Sequence, residues 1–248
     1  MSNESRSTAR RRDVISKSTI KPLVRFATIS LCSLFILSIA TLAGPPLICH
    51  VFDIGNAKSL PWISHDWNLT GAETYDTKNL PSDTIAILNS DPTVLVHMET
   101  LRRATLYARK DPLAAKELFT KLMARADATG DSAQIALAIF DAGYLTEAYK
   151  QWMGKDQPNP ARGIDGYPLV KKAISARNND AQMQFAAALM AMQTNANDQQ
   201  MHARKAIAGA KSDPLLAKNL AAPFHGQHDQ SMADFISTNQ QAKTEARQ

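Results

Sequence analysis

Between Asp91 and Asn219 apolar side chains recur three and four positions apart almost without interruption, the spacing that keeps one face of a helix dry. After Asp111, the residues Ala115, Leu118, Leu122, Met123 and Ala126 fall on one side. Lys116, Glu117, Lys121 and Arg125 fall on the other, with Glu117 and Lys121 placed for an i, i+4 ion pair. The preceding stretch repeats the pattern, with Val94, Leu95, Met98, Leu101 and Ala108 inward and Glu99 and Arg103 outward. Asp-Pro occurs at 91–92, 111–112 and 213–214, and each pair offers a capping carboxylate ahead of a proline at the first helical position. Each predicts a helix start. The connection at Lys110 and Asp111 is so short that the helices on either side are expected to be antiparallel neighbours. A longer helix is predicted from Asp131 to Trp152, burying Ile135, Ala138, Ile139, Ala142, Leu145, Tyr149 and Trp152. Gly143 in its middle predicts close backbone packing, since glycine inside a helix otherwise costs about 1 kcal/mol against alanine. A loop with Pro158, Pro160, Gly163 and Gly166 follows, then helices at about 168–176, 180–192, 198–210 and 214–220. Met183, Met190, Met192 and Met201 read as core filler at helical spacing. The expected class is all-α, with stacked antiparallel helices over 91–222 and a polar C-terminal tail over 223–248 that contributes little packing.

The N-terminal end has a different pattern. Residues 26–44 are 19 positions without a charge, close to the roughly 20 residues a helix needs to cross a hydrocarbon core. Before them, residues 1–25 carry seven basic side chains (Arg6, Arg10, Arg11, Arg12, Lys17, Lys21, Arg25) against two acids, Glu4 and Asp13. A basic tail ahead of an apolar run predicts a single-pass signal anchor with its N-terminus in the cytoplasm and the main domain outside. A cleaved secretory signal is the competing reading, with Thr41, Leu42 and Ala43 before Gly44 as its site. Arg11 and Arg12 lie too far from the apolar run for a twin-arginine signal, and Ile48 before Cys49 does not suit lipid attachment. Pro45 and Pro46 are expected to stop the helix, leaving 45–90 as an extended membrane-proximal arm. The localisation that follows is the bacterial cytoplasmic membrane, with the main domain periplasmic or extracellular.

Once the tail is set aside, the charge picture changes. From Phe26 onward 21 Lys plus Arg face 21 Asp plus Glu, so the pI near 9.2 reflects orientation in a membrane and predicts no nucleic-acid partner. Cys32 falls inside the apolar run, and Cys49 alone remains for the exported part, which excludes an internal disulfide there. Cys49 with His50, and His225 with His228 in the HGQHD loop, have the donor types a zinc or copper ion takes. Neither pair forms part of an HExxH, CxxC or CxxCH motif, and no cofactor is expected. A free, buried Cys49 is the simpler reading.

The block GPPLICHVFDIGNAKSLPW from Gly44 places Phe52, Ile54, Leu60 and Trp62, with Trp67 beyond it, among prolines and glycines. It suits an arm that packs along helices, with Phe52, Asp53, Lys58, Trp62 and Trp67 as its packing or interaction residues; Gly55-Asn56 predicts a turn. Together with FDAGYLTEAYKQ from Phe140, GIDGYPLVKKA from Gly163 and MQFAAALM from Met183, the block resembles bacterial membrane-anchored proteins with an exported helical domain. That resemblance implies architecture and export; no activity, substrate or catalytic residue comes with it. The helical pairs are also similar to tetratricopeptide-class repeats: DPLAAKEL at Asp111 and DPLLAKNL at Asp213 agree at six of eight positions, 102 residues apart, three times a 34-residue period. An irregular bundle and a repeat-like solenoid are both consistent with this.

The function expected from these features is a membrane-tethered, non-catalytic helical scaffold that binds a protein or peptide in the cell envelope. The alternatives are an envelope hydrolase or lyase, with Glu73, Glu99, Asp141 or Glu147 as acid and His97 or His65 as base, and a thiol or metal-handling protein using Cys49 and His50.

Overall fold

The computed structural model describes residues 45–62, 73–128, 132–154, 157–192, 194–224 and 227–238. The protein is all-α, mostly helical with almost no strand. In chain order the elements are α1 (Pro46–Cys49), a 3-10 turn (Thr77–Asn79), α2 (Leu80–Ser90), α3 (Val94–Ala108), α4 (Pro112–Ala126) and α5 (Ser132–Trp152). They continue as α6 (Tyr167–Ala176), α7 (Ala181–Ala191), α8 (Ala196–Gly209), α9 (Pro214–Ala221), the strands β1 (Pro223–Phe224) and β2 (Gln227–Ser231), and α10 (Met232–Thr238). The anchor read at 26–44 lies outside the described residues, and no helix among the described residues is long and apolar enough to cross a membrane.

The capping chemistry explains where the helices begin. Asp111 accepts from the amides of Leu113 and Ala114, and Asp213 accepts from Leu216, with proline behind each cap. Asp180 and Asn195 cap α7 and α8 in the same way. The third Asp-Pro pair does not start a helix. There α3 begins at Val94 with Thr93 in the cap position, while Asp91 binds the Thr93 amide in a local turn.

Helix α5 is the hub. His97 near the start of α3 meets Asp141 at the middle of α5, and Arg109 just past α3 lies over Trp152 at the end of α5, so these two helices run in the same direction. Ala115 of α4 meets Tyr149, and Arg125 meets Asp141, so α4 runs against α5. α3 and α4 are therefore antiparallel and in contact, as expected, but each packs chiefly on α5 and only lightly on the other. Thr77 reaches Asp111 and Arg125 reaches Asn89, which sets α2 beside α4 in parallel, at separations of 34 and 36 residues. Tyr167 at the start of α6 meets His202 of α8 at a separation of 35. Gly143 and Gly166 touch backbone to backbone; a Cβ on Gly143 would stand 2.7 Å from the Gly166 carbonyl oxygen, so no larger side chain fits between α5 and the α6 start.

Two of the expected segment boundaries shift. Residues 80–90 are helical rather than extended, because Leu80, Pro81, Thr84 and Leu88 recur at helical spacing and are buried against α3 and α4. Pro46–Cys49 is likewise one helical turn with proline at its start, where the missing N–H costs nothing. The C-terminal tail also packs: Phe224, Met232, Phe235 and Ile236 are buried, and Phe224 stacks on Phe235 with centroids 3.9 Å apart. Its polar composition concealed four apolar anchors.

The two faces of α4 behave as the periodicity requires. Leu118 is fully buried, while Lys121 and Glu117 form their ion pair about half in solvent. Replacing Leu118 by Ala is expected to cost about 2–5 kcal/mol in urea denaturation of residues 45–248. Lys121→Ala should cost less than about 1 kcal/mol, and equal costs would mean the faces are assigned wrongly.

Candidate functional site

Residues 45–62 lie across α3 and turn what would be its solvent face into an interior. Every residue of α3 except Arg103 is buried. Glu99, read from the sequence as outward, is fully enclosed and corrected here to the centre of an ionic knot. Arg102 grips it with two nitrogens, Nε to Oε2 at 2.8 Å and Nη2 to Oε1 at 2.9 Å, and Arg103 adds Nε to Oε1 at 2.7 Å. Both arginines have donors left over, and they use them on the covering segment: Arg102 Nη1 donates to the Ile48 carbonyl at 3.2 Å and Arg103 Nη1 to the Leu60 carbonyl at 2.6 Å. The Phe52 amide donates to Glu99 Oε2 at 3.1 Å, and the Tyr107 hydroxyl donates to the Pro61 carbonyl at 2.6 Å. Burial works against the Glu99 carboxylate, but Arg102 and then Arg103 more than reverse that and hold it below the usual glutamate range.

The same segment ties together distant parts of the chain. The Leu47 amide donates to Gln151 of α5, and Asn219 of α9 both accepts from the Asp53 amide and donates to the Asp53 carbonyl, each at 2.9 Å. Asp53 also pairs with Lys218. Phe52 is buried edge-on to His50 at 5.0 Å and to Phe185 of α7 at 5.9 Å. Trp62 is half-buried, with the Arg102 guanidinium 4.9 Å from its ring centre. Lys58 is exposed, and Trp67 lies outside the described residues. Gly55 forms the expected turn with φ near +60°, its amide bound by Asp53 Oδ1.

Cys49 and His50 are both buried, and His50 stacks on Phe224 as part of an aromatic cluster. Burial pushes the Cys49 thiol up to about 11, against a smaller pull from Arg102, so the thiolate needed for redox or metal chemistry is scarce at neutral pH. No three His, Cys, Asp or Glu side chains converge as a metal site among the described residues. His225 and the side chain of His228 lie outside them; the backbone of His228 is in β2.

Of the acid and histidine candidates, the structure brings together His97 and Asp141. Both are fully buried. His97 Nδ1 stands 2.6 Å from Asp141 Oδ1, and its Nε2 stands 2.7 Å from the Asp91 carbonyl oxygen. With Asp141 ionised both partners are acceptors, and the ring that satisfies them carries hydrogen on both nitrogens, an imidazolium. Such a ring has no lone pair with which to take a proton from a substrate. Burial alone would lower its pKa, but the Asp141 carboxylate, the hydrogen bond to it and the Asp91 carbonyl together carry it above the ordinary 6.5. Glu147 accepts from the Gly166 amide and from Lys150, and Glu73 is exposed; His65 lies outside the described residues.

A second buried histidine, missed in the sequence, sits between α6, α7 and α8. His202 Nδ1 is 2.5 Å from Gln184 Oε1 and Nε2 is 2.8 Å from the Tyr167 hydroxyl, which in turn reaches Asp198. Burial lowers its pKa to about 4, well below the ordinary imidazole value. Nothing local marked it, since its partners come from two other helices. The two histidines give opposite pH dependences. Between about 4 and 6.5 the unfolded chain binds the His202 proton more strongly, so stability rises with pH there. The His97 contribution is complete below 6.5 and is lost as pH rises through its elevated folded value. Urea titrations of residues 45–248 should therefore show maximal stability near neutrality, and His97→Gln should flatten the alkaline limb alone.

A depression of about 70 Å³ lined by Ala108, Arg109, Pro112, Met153, Gln157 and Pro158 is far smaller than the roughly 300–1,000 Å³ of small-molecule sites. The chain matches no family model, no curated protein and no solved structure.

Proposed function

We propose that the protein is a membrane-tethered scaffold: a transmembrane helix at 26–44 followed by helix hairpins stacked as an irregular solenoid, which binds a protein or peptide partner in the bacterial cell envelope. The observation that carries this reading is the fate of the chemistry-bearing side chains. His97, Asp141 and His202 are enclosed and join one helix to another, and Glu99, equally enclosed, ties α3 to the covering segment. They hold the helices together. The recurrence of first-helix contacts at 34, 36 and 35 residues supports stacked hairpins, whose faces present long surfaces of the kind that hold peptides. The seven-to-two basic tail before an uncharged run supports the tether and its orientation.

The test is affinity capture from native membranes with the full-length chain, followed by titration of the retained protein against the purified chain. Saturable binding that survives Glu73→Gln and Glu147→Gln is expected. Retention no greater than that of an unrelated protein carrying the same residues 1–44 would overturn the reading.

A further inference from the structure

Residues 45–62 are held chiefly by their backbone. The amides of Leu47, Phe52 and Asp53 donate to Gln151, Glu99 and Asn219. The carbonyls of Ile48, Asp53, Leu60 and Pro61 accept from Arg102, Asn219, Arg103 and Tyr107. Every one of these partners is a side chain of α3, α5 or α9. Among the described residues no main-chain group of the segment bonds to main chain of the helical body, so the segment is woven into no ladder and lies in a groove, as a peptide ligand does. Asn219 is the clearest case. Its side chain is fully buried and anchored on the Leu215 carbonyl at 2.9 Å, and it offers Asp53 the same donor and acceptor that a neighbouring strand would. Any residue can supply a carbonyl and any but proline an amide, so these bonds select an extended path and leave most of the sequence open.

The side chains divide accordingly. Val51, Gly55, Asn56, Lys58 and Pro61 are exposed, while Phe52 and Leu60 are buried, with Phe52 edge-on to Phe185 of α7. Asp53, next to Phe52, pairs with Lys218. The groove thus calls for an extended segment in which a large apolar side chain is followed by an acid. When such a segment takes the place of 45–62, each buried donor and acceptor meets the same kind of group again, and the Glu99 knot is not left enclosed and unpaired. The covalently joined segment competes from within the chain, so a partner's apparent affinity scales with the fraction of grooves that are open.

We propose that the groove formed by Glu99, Arg102, Arg103, Tyr107, Gln151 and Asn219 is the peptide site of the scaffold, held in the free chain by residues 45–62, and that a partner enters it with an extended segment of that chemistry. The proposal deepens the peptide-binding reading above and rests on it. The probe is a fluorescein-labelled synthetic peptide of residues 45–62 carrying Cys49→Ser. It is titrated against the full-length chain in detergent, either wild type or with its own segment weakened by Phe52→Ala, or by Phe52→Leu where the alanine variant loses its helical circular dichroism. Fluorescence anisotropy should report saturable binding to the weakened chain about tenfold or more tighter than to wild type. Methylating the peptide's Phe52 and Asp53 nitrogens, which face Glu99 and Asn219, should weaken binding about tenfold or more, whereas Val51→Ala and Lys58→Ala in the peptide should leave it unchanged. No saturable binding by a weakened chain that remains helical would overturn the groove, and so would equal binding of the methylated and unmethylated peptides. Wild-type dimers that the peptide dissolves would assign the groove to the segment of a second copy and overturn a partner's. A captured protein that binds wild type and a helical Asn219→Asp chain equally would overturn the groove and leave the scaffold reading standing.

Discussion

Arg102→Met is expected to lower the stability of residues 45–248 by about 3–5 kcal/mol, since it strips a fully buried carboxylate of its two-pronged partner. Arg103 would remain, but it reaches Glu99 through one nitrogen and is itself partly solvated. Glu99→Leu alone should be comparably harmful. It leaves the Arg102 guanidinium buried with the Ile48 carbonyl as its one remaining acceptor, and it orphans the Phe52 amide. The double variant Glu99→Leu, Arg102→Met is the informative member. Removing both charges together abolishes the desolvation cost along with the attraction, so its loss should fall well short of the sum of the single losses. Thermal unfolding followed by circular dichroism would show this as a coupling of several kcal/mol. Additive losses would mean that the three charges hold the covering segment separately rather than as one knot.

The burial of Glu99 is not legible in the apolar spacing of α3. Periodicity reports which side of a helix is apolar, and on α3 it correctly placed Val94, Leu95, Met98, Leu101 and Ala108 inward. It carries no information about a second layer arriving from residues 45–62, whose own apolar content was read as an arm without a fixed address. An acid three and four positions ahead of two arginines is ambiguous in sequence: on a solvent face it is a weak pair, and under a covering strand it is a charged anchor. What distinguishes the cases is the supply of carbonyls from Ile48 and Leu60, set by tertiary structure alone.

Helix identity was legible wherever caps and apolar spacing agreed, as at Asp111, Asp180 and Asp213. It failed at Asp91, where the carboxylate served a turn and the carbonyl served His97, and at 80–90, where Thr84, Ile85 and Ile87 favour neither helix nor cap strongly. The contacts Thr77–Asp111 and Tyr167–His202, 34 and 35 residues apart, left no repeat in the sequence, because they join unlike residues. The polar tail hid Phe224 and Phe235 by dilution. Buried histidines were equally opaque, since His97 and His202 differ only in what other helices offer them: a carboxylate and a carbonyl in one case, an amide and a phenol in the other.

Phe52→Ala should cost about 3–5 kcal/mol, more than any other single truncation within residues 45–62. Its ring is 2% exposed, and it meets His50 and Phe185 edge-on, a geometry that adds to simple burial. Its amide is also the one that Glu99 accepts, so collapse of the ring's site would disturb the knot beneath. Trp62→Ala, although it removes a larger side chain, should cost less: the indole is only partly buried, and its contact with Arg102 is of the order of 1–2 kcal/mol. The two variants together separate packing from recognition. If the segment acts by packing, Phe52→Ala lowers the melting temperature strongly, Trp62→Ala lowers it modestly, and partner binding at a temperature where both are folded is retained. If Trp62→Ala instead leaves the melting temperature unchanged and abolishes binding, the partly buried indole is a contact for the partner, and the segment serves the outer surface as well as the core.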